Sequence, residues 1–196
     1  GKGGHGAYPQ ATIDPFYLLA HVIFALNGIV SRRLDPFAPA VVSIGSINGG
    51  FTENVIPQSL KITGTLRYTD VAVQKQIHAE ITRAFEIAKA LGGNYQLKFE
   101  IGSLPMINDE MVSAEIEKVG AEMLGRDKLT PSVKTLGAED FGSFMEKAPG
   151  AMFTLGVRKK GHEDYLLHHP KFDLDESALP IGTAMLVESA LKLLKK

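Results

Sequence analysis

The sequence has 196 residues, of which 44% are hydrophobic and 22% charged, and its formal net charge is −1. This composition is typical of globular protein with one large or two small domains, and it excludes a largely disordered chain. The balanced charge gives no electrostatic case for binding nucleic acid or an anionic membrane. No cysteine is present, which excludes disulfides, thiolate nucleophiles and cysteine-based zinc sites within these residues.

The first predicted element is a helix behind a glycine-rich segment, GKGGHGAYPQ, that holds His5 among four glycines. Asp14 followed by Pro15 predicts the helix start, because Asp caps a helix and Pro fits its first turn. Apolar residues then recur at helical spacing. The predicted buried face consists of Phe16, Leu19, Ile23, Leu26 and Val30.

The next elements are predicted as strands at 40–47 and 59–69, a helix over 71–91 and a strand at 94–101. With one more strand in front, this order would be the split β-α-β pattern of a ferredoxin-like domain. We therefore expect an incomplete ferredoxin-like domain over residues 1–103 that lacks its first strand.

The remainder, residues 104–196, has a different organisation. Apolar spacing predicts helices at 110–124 and 177–194, with a buried strand at 150–157 between them. The segment GAEDFGSFMEKAP, residues 137–149, is predicted to start a short helix. These elements belong to an α/β sheet but are too few to complete one.

The richest candidate site is LLHHPKFDLDE, residues 166–176. Neutral imidazole is the commonest protein ligand for zinc, so His168 and His169 are candidate ligands. A zinc ion needs three or four protein ligands, however. The local sequence alone leaves open that both histidines lie in a solvated loop and that the acidic residues favour the dipole of the last helix.

Five further polar residues are candidates, and each has a purely structural alternative. His5 lies in an exposed glycine loop, and Arg67 lies on the polar face of a strand. Asn54 precedes a turn, where Asn is common for conformational reasons. Glu139 and Asp140 suit the first turn of a helix.

Taken in chain order, the motifs GKGGHGAYPQ, NVIP, GTLR, GAEDF and LHHPKFDLDE resemble the second half of the zinc-dependent amidohydrolase/carboxypeptidase family. That family includes hippurate hydrolases, N-acyl-amino-acid amidohydrolases and auxin-conjugate hydrolases, and GAEDF points to the hippurate and auxin branch. The resemblance implies a ferredoxin-like lid and dimerisation domain at 1–103. Residues 104–196 would be the C-terminal part of an α/β catalytic domain.

The resemblance also implies roles for four residues. His168 stands at the family's last metal-ligand position, whereas His169 does not. His5 stands at the position of the lid histidine that, in this family, reaches the substrate carbonyl, often in the neighbouring subunit's site. Asn54 matches a substrate-facing lid residue, and Arg67 a position that holds the substrate carboxylate. Glu139 and Asp140 receive only supporting roles.

The implied reaction is metal-dependent hydrolysis of the amide bond of N-acyl amino acids or short peptides, which releases an amino acid. The implied cofactor is a pair of zinc ions, with manganese, cobalt or nickel as alternatives. We expect a cytoplasmic homodimer formed through the lid, with no nucleic-acid or membrane partner, and we expect the 196 residues alone to be inactive. Two alternatives stay open: a non-catalytic dimerisation or small-molecule-binding module, and a relative that has lost its metal domain.

Overall fold

The computed structural model describes residues 1–131, 134–161, 163 and 165–195. Contacts within the chain divide it into two compact units. The first unit is Gly1–Pro105 with Thr135–Asp140, and the second is Met106–Lys134 with Phe141–Lys196. The predicted domain boundary after residue 103 stays a prediction.

The first unit contains two long helices and four strands. In chain order they are β1 (Gly4–His5), α1 (Pro15–Arg32), β2 (Ala40–Asn48), β3 (Val55–Ile56), β4 (Lys61–Tyr68) and α2 (Val71–Ala90). The predicted cap of α1 is confirmed, because the Asp14 carboxylate accepts a hydrogen bond from the Phe16 backbone N–H. Asp70 caps α2 in the same way through the backbone N–H of Val73.

The strands form two antiparallel pairs. The long pair joins β2 to β4, from Ala40 opposite Tyr68 to Asn48 opposite Lys61. The short pair joins β1 to β3 and sets His5 opposite Val55. The strand β3 lies in the connection between β2 and β4. The short pair is therefore at the Asn48 end of the long pair.

The core of the first unit lies where α1 and α2 pack together. Ile29 and Ile77 are almost completely buried there, and Val42, Leu66 and other strand residues pack against them. The buried α1 residues are Pro15, Leu18, Leu19, Val22, Leu26 and Ile29.

The predicted face of α1 is therefore partly wrong, since Phe16 and Val30 remain 48% and 36% exposed. Apolar residues cover much of the circumference of this helix, so its sequence permits two overlapping buried faces. Packing against α2 selects one of them. By length and composition alone α1 would also satisfy the criteria for a membrane span, although a third of that window is buried in the protein.

Two predicted strands, 94–101 and 150–157, are wrong as strands, because neither is hydrogen-bonded into a sheet. Their alternation is nevertheless present in the burial pattern, and Leu97 and Phe99 pack on the core. A strand needs a neighbouring strand to take its backbone hydrogen bonds. In the split β-α-β order, the neighbour of 94–101 would be the first strand, which these residues do not include.

The second unit contains α3 (Glu110–Leu124), α4 (Gly142–Met145) and α5 (Ala178–Leu194). Asp109 caps α3 through the backbone N–H of Val112. Val119 and Met185 are buried in this unit, and Lys192 of α5 pairs with Glu122 of α3 at 2.9 Å. These helices confirm the predicted helices at 110–124 and 177–194.

The contact of His78 with the segment 94–101 predicts that the stability of the protein depends on pH. The His78 ring stacks on Phe99 with 3.9 Å between ring centroids, and burial lowers the pKa of His78 below its usual 6.5. Protonation therefore favours the unfolded chain, so this contribution is complete above pH 6.5 and is lost as the pH falls below it. We expect the urea midpoint to fall between about pH 7.5 and pH 5.5, and to fall less in His78→Gln. The exposed His21→Gln serves as the control; an equal pH response in all three proteins would contradict the prediction.

Candidate substrate-binding site

The β1–β3 pair brings His5 and Asn54 to the same place. His5 lies opposite Val55, and the backbone N–H of Gly6 donates to the carbonyl oxygen of Asn54 at 2.8 Å. The glycines beside His5 permit this approach: a Cβ at Gly3 would stand 2.8 Å from the Ile56 carbonyl oxygen. The glycine-rich segment therefore holds a histidine tightly against the strand that follows Asn54.

The His5 ring is oriented by its own loop. The backbone N–H of Ala7 donates to His5 Nδ1 at 3.0 Å, and Tyr8 contacts the ring edge-on at 5.5 Å between centroids. Because Nδ1 is the acceptor, the neutral ring carries its proton on Nε2. His5 is exposed, so its Nε2–H can donate to a ligand.

Asn54 offers a second side-chain donor near the same strand pair. The Thr52 hydroxyl, which donates to Glu53 at 3.0 Å, also lies 3.3 Å from the side-chain oxygen of Asn54, and the amide NH₂ of this exposed residue is a further donor. The backbones of the two residues meet at the β1–β3 pair, and N–H donors of this kind suit a carbonyl oxygen that gains negative charge during a reaction.

Arg67 lies elsewhere in the unit. It is opposite Val41 in the long strand pair, and its guanidinium donates to the Thr65 hydroxyl at 2.6 Å and to the Leu66 carbonyl oxygen at 3.0 Å. Asn48 lies seven residues after Val41 in β2, which is about 23 Å along a strand. The first unit of one chain therefore holds Arg67 at the opposite end of the sheet from His5 and Asn54.

His168 belongs to the second unit and is exposed. Its φ of +70° is the only left-handed backbone conformation of a described non-glycine residue, and such positions are uncommon for a side chain that has a Cβ. His169 has structural contacts instead: its Nδ1 accepts the Lys171 backbone N–H at 3.1 Å, and its ring stacks on Tyr165.

The described residues do not form a complete metal centre. In the described part of the chain, no three His, Asp or Glu side chains come together as ligands. Glu139 and Asp140 are exposed, directly before α4. His168 could supply one ligand, but one imidazole does not fit the three or four protein ligands that a zinc site needs.

Sequence reasoning missed a groove next to His5 and Asn54. It has a volume of about 560 Å³ and is lined by Gly6, Phe16, Gly49, Gly50, Phe51, Thr52, Glu53, Val55, Ile56 and Pro57. Phe51 is 84% exposed. The sequence signal that could have indicated the groove is Phe51, directly after Gly49-Gly50. A turn requires the glycines, but it does not require an aromatic ring beside them.

The contact between Ala7 and His5 predicts the tautomer of His5. At a pH where imidazoles are neutral, we expect the His5 ring to be almost entirely in the Nε2–H form, because the Ala7 N–H occupies Nδ1. Long-range ¹⁵N–¹H NMR distinguishes the two ring nitrogens. His21, which only meets Tyr17 edge-on, should show a mixture of tautomers. A His5 ring protonated on Nδ1 would be inconsistent with this site.

Comparison with known proteins identifies the family. Residues 1–92 match the peptidase dimerisation domain. The chain is 35% identical to thermostable carboxypeptidase 2 of Saccharolobus solfataricus, over 100% of this chain and 50% of that protein. It is also 35% identical to N-acetyl-L-cysteine deacetylase of Bacillus subtilis, over 99% of this chain and 45% of that protein.

A solved structure agrees with these matches. A dinuclear metal-binding peptidase of the M20 family from Bacillus subtilis aligns with a TM-score of 0.74 at 29% identity, over 93% of this chain and 47% of that one. The chain spans about half the length of the curated relatives that it matches. The resemblance inferred from the motifs is confirmed, as is the expected fold class. The chain belongs to the M20 family of peptidases and amidohydrolases, and residues 1–92 are its peptidase dimerisation domain.

Proposed function

We propose that this chain is the lid and C-terminal part of a metal-dependent hydrolase that cleaves the amide bond of N-acyl amino acids or short peptides. The observation that supports the proposal is the β1–β3 pairing, which brings the backbones of two exposed residues with N–H donors, His5 and Asn54, next to each other. Relatives named as a carboxypeptidase and an N-acetyl-L-cysteine deacetylase support the substrate class.

Each of the three lid residues has a chemical role in this proposal. The His5 Nε2–H and the Asn54 amide donate to the carbonyl oxygen of the scissile amide, and their hydrogen bonds strengthen as that oxygen becomes negative. The guanidinium of Arg67 pairs with the free carboxylate of the amino acid, for which its planar fork is suited. Water adds across the C–N bond, and the products are a carboxylic acid and an amino acid.

The metal is part of the proposal. We propose zinc, with manganese, cobalt or nickel as alternatives, and His168 as one ligand; a bound metal ion would supply an activated water. The described residues do not complete such a centre, so we derive no step through it. We also propose a cytoplasmic location, because α1, the helix of the described residues that is apolar enough to span a membrane, contributes a face to the core.

The positions of Arg67 and His5 favour a homodimer with shared sites. Within one chain, about 23 Å of strand lies between Val41, which is opposite Arg67, and Asn48, which marks the end toward His5, and a small N-acyl amino acid cannot reach both ends. A second copy of the chain could present its His5 and Asn54 to the site that holds the first copy's Arg67. The peptidase dimerisation domain over residues 1–92 supports this arrangement.

The role of His5 can be tested in the full-length protein. We expect His5→Ala to lower kcat by about 10²–10³-fold with a smaller change in KM, as for the loss of an oxyanion donor. His5→Gln retains an N–H donor and should recover part of the loss. Metal content, measured in parallel, should be the same in all three proteins. An unchanged kcat in His5→Ala would remove the proposed role.

Shared sites can be tested by mixing subunits. Full-length His5→Ala and Arg67→Ala proteins should each be nearly inactive, whereas co-expression should restore about a quarter of the wild-type activity, because half of the dimers are mixed and each carries one intact site. If both residues served the same subunit's site, no mixed dimer would contain an intact site and activity would not return. Sedimentation of each variant checks that both still dimerise.

A further inference from the structure

The groove beside His5 is open and has aromatic walls. Its volume of about 560 Å³ lies within the range of sites that bind small molecules. Phe16, at the start of α1, is 48% exposed, and Phe51, in the loop after β2, is 84% exposed. The two rings therefore offer apolar surface to a ligand and contribute little to the core of the unit.

Two glycines hold the groove in this shape. Gly50 has a φ of +78°, which favours glycine, and a Cβ there would lie 3.6 Å from the Phe16 ring. A Cβ at Gly49 would stand 2.3 Å from a methyl group of Leu60 and 2.8 Å from the Ser59 carbonyl oxygen. A side chain at either position would displace the loop or reduce the space beside Phe16.

The groove lies next to the proposed carbonyl site, since the chain neighbours of His5 and Asn54 line it. Gly6, which follows His5, and Val55, which follows Asn54, both line it. A carbonyl carbon whose oxygen meets His5 and Asn54 carries two substituents: the acyl group and the amide nitrogen of the amino acid. The groove can therefore receive one of these two sides of the substrate.

The charge of Glu53 indicates which side of the substrate the groove receives. Glu53 is the only charged residue that lines the groove, and hydrogen bonds from its own backbone N–H and from the Thr52 hydroxyl lower its pKa. It is therefore an anion at neutral pH and repels the free carboxylate of the amino acid. An uncharged aromatic or long apolar acyl group meets no such repulsion and can contact both phenyl rings.

We propose that the groove between Phe16 and Phe51 is the acyl-binding site and that Phe51 selects aromatic acyl groups over acetyl. The inference rests on the proposed function and extends it to the substrate. It also assigns the selectivity to the copy that supplies His5, because the groove and His5 lie at the same end of one chain.

The first test compares two substrates in the full-length protein. The wild type should hydrolyse N-benzoylalanine with a higher kcat/KM than N-acetylalanine. Phe51→Ala should lower the benzoyl-to-acetyl ratio about tenfold, the scale of a lost apolar contact in a pocket, and Phe51→Tyr should retain most of it. Phe37→Ala, which removes an equally exposed ring (93%) from the loop before β2, is the matched control and should leave the ratio unchanged.

The outcomes separate the inference from the proposed function. Hydrolysis of both substrates with the same ratio in the wild type and Phe51→Ala would overturn the inference and leave the proposed function intact. A loss of dimerisation in Phe51→Ala, measured by sedimentation, with an unchanged ratio in the remaining dimer would assign the ring to a subunit interface and also overturn it. Hydrolysis of neither substrate by the wild type would overturn both.

A second test assigns selectivity to one copy. In mixed dimers of His5→Ala and Arg67→Ala subunits, the intact site combines Arg67 of the first subunit with His5 of the second. Phe51→Ala added to the Arg67→Ala subunit should lower the benzoyl-to-acetyl ratio about tenfold, as in the first test. The same change added to the His5→Ala subunit should leave the ratio unchanged. The reverse result would overturn the inference.

Discussion

The antiparallel pairing of β2 with β4 fixes the length of the first unit, and the positions of its functional groups depend on that length. The pairing runs from Ala40 opposite Tyr68 to Asn48 opposite Lys61, and the packing of α1 on α2 holds it in place. Val41, which lies opposite Arg67, and Asn48 are therefore about 23 Å apart along β2, and these positions cannot approach each other without breaking the pairing. A rigid strand pair in this way separates Arg67 from the end of the unit that holds His5 and Asn54.

In the proposed function, this separation connects dimerisation with the chemistry of the site. A stable subunit interface need not contribute to a reaction, but His5 and Asn54 lie at one end of the strand pair and Arg67 lies at the other. A two-fold arrangement, in which each surface meets its own copy, would supply each proposed site with one end from each chain. The number of complete sites would then equal the number of chains.

Local signals in the sequence predicted much of the fold. Asp14 and Pro15 located the start of α1, and the alternation at 94–101 indicated which residues would be covered. Pairing depends on non-local partners, which is why the same alternation did not give a hydrogen-bonded strand. Motif order predicts roles for His5 and Asn54 that stay predictions, and the hydrogen bond that sets the His5 tautomer comes from the backbone of Ala7, which no side-chain pattern indicates. The groove was missed because it exists only when the Gly50 loop lies beside Phe16.

The position of the groove has a consequence for substrate selection. In the proposed arrangement, the acyl-binding groove and the carbonyl donors belong to one end of one chain, so a change in Phe51 would alter acyl preference without moving Arg67. The proposed carboxylate-binding residue lies at the other end of the strand pair. Acyl preference could then vary while the requirement for a free carboxylate stays fixed. The loop at 49–54 is where such variation should appear, because its side chains are exposed and contribute little to the core.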